Sequence, residues 1–222
     1  MAGFRHFSSV VVASACIAAA MTGCCSAPDE ELTEQTKQIK TIQSLAKKES
    51  DEAVDRVMEF TNAPDRMTAR TAVWALGQMK SPRATKKLED VAKRHPEGEI
   101  RFEAVTALSF KTPDEARPVL RQVVERDPDP NVRGAAAAAF GQVGTLDDVE
   151  FLSKALAGDE SVVVQSRAVA AVERLVGVRF RFDPTAPAEV RREVINRLRH
   201  YAPLIAEKQK HKRKVAQNRS PP

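Results

Sequence analysis

The stretch Val132-Arg133-Gly134-Ala135-Ala136-Ala137-Ala138-Ala139-Phe140-Gly141 decides how this 222-residue chain is read. Consecutive alanines leading into one large apolar side chain make a strong helix former with a single bulky anchor. Stepping 32 residues back from Phe140 reaches Leu108 and then Leu76, and 32 forward reaches Val172. Four residues before these anchors stand Ala72, Ala104, Ala136 and Ala168, and one before them stand Ala75, Ala107, Ala139 and Ala171. A fixed period in this range marks stacked units, each too small to bury its own core. At about 100° per residue the anchor and its two alanines share one stripe of a helix, so small residues set how closely neighbouring units approach.

Each unit has a second helix, carrying Leu88, Leu120 and Leu152, with Ala92, Val124 and Leu156 one turn on. Its start is marked by Ser81-Pro82, Thr112-Pro113 and Thr145, a cap residue followed twice by a proline at the first helical position. Between units stand Pro96-Glu97-Gly98, Asp127-Pro128-Asp129-Pro130-Asn131 and Gly158-Asp159, so every unit reads as a helical hairpin. Upstream, Ile39, Ile42 and Leu45 line one helix face, and Val54, Val57, Met58 and Phe60 another. From about Leu32 to residue 176 there is no strand signal. The run Gly177-Val178-Arg179-Phe180-Arg181-Phe182-Asp183-Pro184 breaks the period. A last amphipathic helix then follows through Val190, Val194, Leu198 and Tyr201. A stack needs such an end cap, because its last hairpin otherwise leaves an apolar face in water.

The segments Val132 to Gly141, and Ile100-Arg101 through Ala104 to Ala107-Leu108, resemble the short HEAT-like repeat first described in phycobilisome lyases, over residues about 51–176. The resemblance implies an all-α chain, a right-handed α-solenoid of HEAT-like helical hairpins with a C-terminal capping helix. It also implies that Arg101 and Arg133, seven residues before their anchors, work with Asp127 to link adjacent turns. Arg70 is offset by one residue and Gln165 replaces arginine beside Asp159, so that ladder is expected to be incomplete. The tetratricopeptide alternative lacks its 34-residue period and its Trp, Gly and Tyr signature.

The N-terminus reads as an export signal, with Arg5 ahead of an apolar stretch from Val10 to Met21 that is too short for a stable transmembrane helix. Met21-Thr22-Gly23-Cys24 resembles the lipobox of bacterial lipoproteins. That resemblance implies cleavage before Cys24, lipid on its thiol and an acylated amine, a durable membrane anchor. The expected organisation is a lipoprotein signal peptide over 1–23, a tether over 24–31, a repeat domain with its cap over 32–206, and a basic disordered tail over 207–222. After cleavage Cys25 is the only free thiol, so neither a disulfide nor a cysteine metal site is available. The basic character belongs to the tail, whose Lys208, Lys210, Lys212, Arg213, Lys214 and Arg219 face only Glu207.

Nothing in the sequence composes an active site. His95, His200 and His211 are far apart and read as surface histidines, and no phosphate loop, metal-ligand spacing or nucleophile elbow is present. The expectation is a protein without enzymatic activity, cofactor or metal. Trp74 lies about 160° round its helix from Leu76, and Arg70 and Phe102 share its exposed side, so these three residues are the candidate partner-binding patch. The opposing reading has the N-terminal helix fold over Trp74 as a cap. The tail admits attraction to an anionic surface or a merely solvated end. Nucleic acid is not expected, because the export signal opposes it. The functional expectation is a membrane-tethered scaffold for a protein or peptide partner in the bacterial cell envelope. The alternative is a lyase- or chaperone-like subunit acting on a carrier protein.

Overall fold

Prolines and short polar caps cut the chain into helices at the places the repeat demands. Ser81 accepts the Arg83 N–H ahead of Pro82, Asp129 accepts the Asn131 N–H ahead of Pro130, and Asp65 accepts both the N–H and the hydroxyl of Thr68. Those bonds satisfy otherwise orphaned donors and hold the Asp65 carboxyl below its ordinary value. The computed structural model describes residues 33–48 and 50–219, with side chains through 215. Its helices are α1 (Glu34–Ala46), α2 (Asp51–Glu59), α3 (Arg66–Gln78), α4 (Pro82–Arg94), α5 (Gly98–Leu108), α6 (Pro113–Arg126), α7 (Pro130–Val143), α8 (Val149–Gly158), α9 (Val162–Val176) and α10 (Ala188–Arg219). No strand occurs among the described residues. The expected signal, tether and Cys24 lie outside them.

The odd-numbered helices lie side by side: α1 on α3, α3 on α5, α5 on α7 and α7 on α9. The even-numbered helices form a second layer, in which α2 meets α4, α4 meets α6 and α10 packs on α8. The layers are stitched where α4, α6 and α8 each pack on the odd helix that follows. Glu34–Pro222 is one unit with one continuous core, an all-α solenoid. Leu76, Leu108, Phe140 and Val172 are fully buried, as are Leu88, Leu120 and Leu152. Burying each such side chain contributes about 1.5–3 kcal/mol.

All eight seam alanines are buried. How close the seam runs is visible at Gly77, where an added Cβ would stand 2.9 Å from the Cβ of Ala107. Packing at that distance leaves no room for a methyl group, so glycine and alanine together fix the α3–α5 spacing.

Loops between repeats are joined by a polar ladder. His95 Nε2 donates to the Thr61 carbonyl at 3.1 Å, while its Nδ1 accepts the Glu97 N–H. Arg101 donates to the carbonyls of His95 and Pro96 and grips Asp127. Arg133 repeats the motif one unit on, with the carbonyls of Asp127 and Pro128 and the carboxylate of Asp159. Gln165 closes the run with a bond to the Asp159 carbonyl at 2.9 Å. Hydrogen bonding to Asp127 and to Asp159 raises the pKa of Arg101 and Arg133 despite their burial, so both stay charged. His95 is thus not the expected surface histidine. It is buried, because it occupies the ladder position that Asp127 and Asp159 hold in later repeats.

At the C-terminal end Gly177, at φ 67°, takes the left-handed conformation that ends α9. Residues 178–187 run without helix before α10. Ile195, Leu198, Ala202 and Ala206 of α10 join the core, filling the role expected of a cap. Helix α10 continues through Arg219, across residues expected to form a disordered tail. Lys, Glu, Gln and Ala are good helix formers, so a charged composition does not by itself stop a helix. Gln209 donates to the Val176 carbonyl at 2.7 Å, and Lys210 bonds Asp147 at 2.7 Å and Glu207 at 2.6 Å.

Candidate partner-binding face

The outward side of the odd-numbered layer collects the positions two, five, six and nine residues before each anchor. Trp74 is 37% exposed there, although α1 packs against α3, so no described helix covers it. Its aromatic partner is Phe110, 65% exposed, in the turn after α5, with ring centroids 6.1 Å apart and planes tilted by 39°. A tilted aromatic pair at this distance is favourable and rigid.

The other two predicted patch residues are placed differently. Arg70 keeps its position beside Trp74 on α3, but its guanidinium pairs with Glu103 at 2.6 Å. Alongside, Arg66 reaches Glu99 at 2.9 Å, so two ion pairs tie α3 to α5. Phe102 is half-buried, its ring beneath the Arg167 guanidinium at 5.7 Å. The three residues therefore form no single cluster. Trp74 with Phe110 makes one exposed aromatic site, and Phe102 with Arg167 a separate capped one.

Arg167 reaches Phe102 by crossing α7 at Gly134. A Cβ on Gly134 would stand 3.0 Å from the Arg167 Cδ and 3.3 Å from Val163. The glycine is thus the channel through which α9 touches α5. Sequence reasoning missed Phe110 and Arg167. A usable signal existed for the first: two residues after their anchors the other repeats have Gln78, Gln142 and Arg174, against which a phenylalanine is out of character.

Chemically the face offers apolar contact, paired charge and methyl groups. Ala138 and Ala170 are exposed in the rows equivalent to Trp74, making a smooth floor on α7 and α9. Beside α9 a shallow depression of about 590 Å³ is lined by Val169, Ala170, Glu173, Arg179, Arg181 and Phe182 among others. Among the described residues no group of His, Cys, Asp and Glu is arranged to hold a metal ion, and no helix is long and apolar enough to cross a membrane. His95 and His200 share no site, since His95 is spent on the ladder and His200 packs its ring on Tyr201 at 4.8 Å.

A two-layer stack of helical hairpins, with a buried arginine–aspartate ladder and an exposed aromatic pair, defines a repeat-array protein of the kind that mediates protein contacts. The family model for HEAT repeats matches residues 31–109 and again 87–173, together well over half of the chain. The chain belongs to the HEAT-repeat family. Among curated proteins no relative matches.

Proposed function

We propose that this protein is a membrane-tethered, non-enzymatic scaffold of the bacterial cell envelope, holding a protein or peptide on the odd-numbered face of its array. The tether is lipid on Cys24, as the Met21-Thr22-Gly23-Cys24 sequence suggests, and the repeats are of the short phycobilisome-lyase type. One observation supports the binding assignment: the only tryptophan of the chain is partly exposed, its ring tilted against a still more exposed phenylalanine, on a face that also exposes Met67 and Val163 beside its paired charges and small side chains. Exposed aromatics on rigid elements are the usual anchors of protein interfaces.

Photo-crosslinking amino acids placed singly at Trp74, Phe110 and Glu125 in the native host test it, because Glu125 is exposed on α6 in the opposite layer. A discrete adduct from the first two positions and none from the third is expected. Adducts from Glu125 alone, or from none of the three, overturn the assignment of the face. The tether is tested separately by Cys24→Ser, which should move the protein from the detergent phase to the aqueous phase and remove a lipid mass from the intact chain.

A further inference from the structure

Charge is distributed very unevenly along the folded unit. Residues 34–173 hold 21 Lys and Arg against 23 Asp and Glu, whereas residues 174–222 hold 13 against 4. Helix α10 carries most of that excess. Of its cations, Lys210 is engaged with Asp147 and Glu207, and Arg191 donates to the Ala186 carbonyl. Arg197, Arg199, Lys208, Lys212 and Arg213 are exposed, and none is paired with a carboxylate among the described residues, whereas Lys214 acts on Asp147.

The same helix leaves apolar groups in water. Val190 is 49%, Tyr201 52% and Leu204 58% exposed. With Arg197 and Lys208 they fall within about 60° of arc on a regular helix, one stripe down its side. The helix cannot roll to hide that stripe, because Ile195, Leu198, Ala202 and Ala206 are locked into the core on the other side. A fixed helix that presents aliphatic and aromatic groups between unpaired arginines and lysines matches one chemistry especially well. The lipid–water boundary offers negative headgroups and, just below them, an apolar layer.

We propose that the outer face of α10 docks on an anionic bilayer surface, with Tyr201 and Leu204 entering the headgroup layer between the flanking arginines and lysines. A soluble polyanion would satisfy the cations but would leave the leucine and tyrosine without partners. The contact goes beyond the scaffold reading and needs no lipid on Cys24. It would orient the array on the membrane by its C-terminal end, whatever holds the N-terminus.

Residues 34–222, the compact unit that holds the described core, are mixed with vesicles of phosphatidylcholine alone or with about one third phosphatidylglycerol, and bound protein is measured by sedimentation. Binding to the anionic vesicles only, at least about ten-fold weaker at about 0.5 M salt, is expected. Arg197→Glu with Lys208→Glu and Lys212→Glu, the cations beside the apolar stripe, should lower it by more than about ten-fold. Leu204→Ser with Tyr201→Ser should lower it about five-fold, with thermal unfolding unchanged. Equal binding to both vesicle types, or none to either, overturns the proposal. So does binding that ignores the Leu204 and Tyr201 changes while heparin competes fully, since that pattern describes a polyanion site. The salt titration uses the unaltered sequence and decides the electrostatic part even if a variant misfolds. A failure here leaves the partner-binding face untouched, because crosslinking at Trp74 reads a different surface.

Discussion

Arg101 grips Asp127 with both arms of its guanidinium, Nε to Oδ2 at 2.7 Å and Nη2 to Oδ1 at 2.9 Å, across 26 residues of chain. The side chains are 9% and 4% exposed, so the charges are out of water and depend on each other. The third arm bonds two loop carbonyls that no helix could satisfy.

Removing one partner of this pair should therefore cost about 3–5 kcal/mol, far above the effect of a surface ion pair. Arg101→Met and Asp127→Ala each leave an uncompensated buried charge, and their double variant should be less destabilised than the sum of the singles. Urea unfolding of the four proteins measures this. A purely additive double variant would show that the two side chains do not act together.

Two glycines at the same repeat position should respond in opposite directions to alanine. Gly77→Ala forces a Cβ to within 2.9 Å of the Ala107 Cβ and should destabilise by about 1–3 kcal/mol. Gly141→Ala meets Ala171 at ordinary contact, 3.5 Å at nearest, and should stabilise by about 0.5–1 kcal/mol through helix propensity. Thermal unfolding of both variants gives the signs directly.

Acid should loosen α10 through Asp147. Its hydrogen bond from Lys210 holds the carboxyl below its ordinary 3.8 in the folded chain. A folded value below the unfolded one means that the contact stabilises fully above about 3.8 and fades as pH falls through the folded value. Protection of the α10 amides around Lys210, relative to their intrinsic exchange rates, should fall on acidification below about pH 4, and Asp147→Asn should lower it already at neutral pH. An acid response unchanged by the substitution would assign it to other groups.

Because the chain has one tryptophan, its fluorescence reports on the candidate face alone. Phe110→Ala should shift the Trp74 emission to longer wavelength and raise its quenching by acrylamide, with helical content unchanged. For an identified partner, Trp74→Ala should weaken binding by about 2 kcal/mol. Equal affinity in the two proteins would remove Trp74 from the interface.

The sequence by itself determined the array. A 32-residue return of one large apolar residue and two alanines has a single physical solution, hairpins stacked along a shared seam, because local period and burial demand agree. Resemblance to the HEAT-like repeat marked Arg101, Arg133 and Asp127 as a ladder, and helix geometry put Trp74 on the outer face while leaving open whether the N-terminal helix covered it. Only the tertiary structure decided what stood next to them. Arg70 met Glu103, Phe102 slid under Arg167 through the gap at Gly134, and Trp74 found Phe110. His95 went inside because its ring replaced a carboxylate in the ladder, and the basic tail stayed helical because α10 already lay on α8. Those outcomes depend on residues 33 to 65 positions apart. Periodicity fixes which face a side chain occupies, and the distance between helices fixes what it touches there.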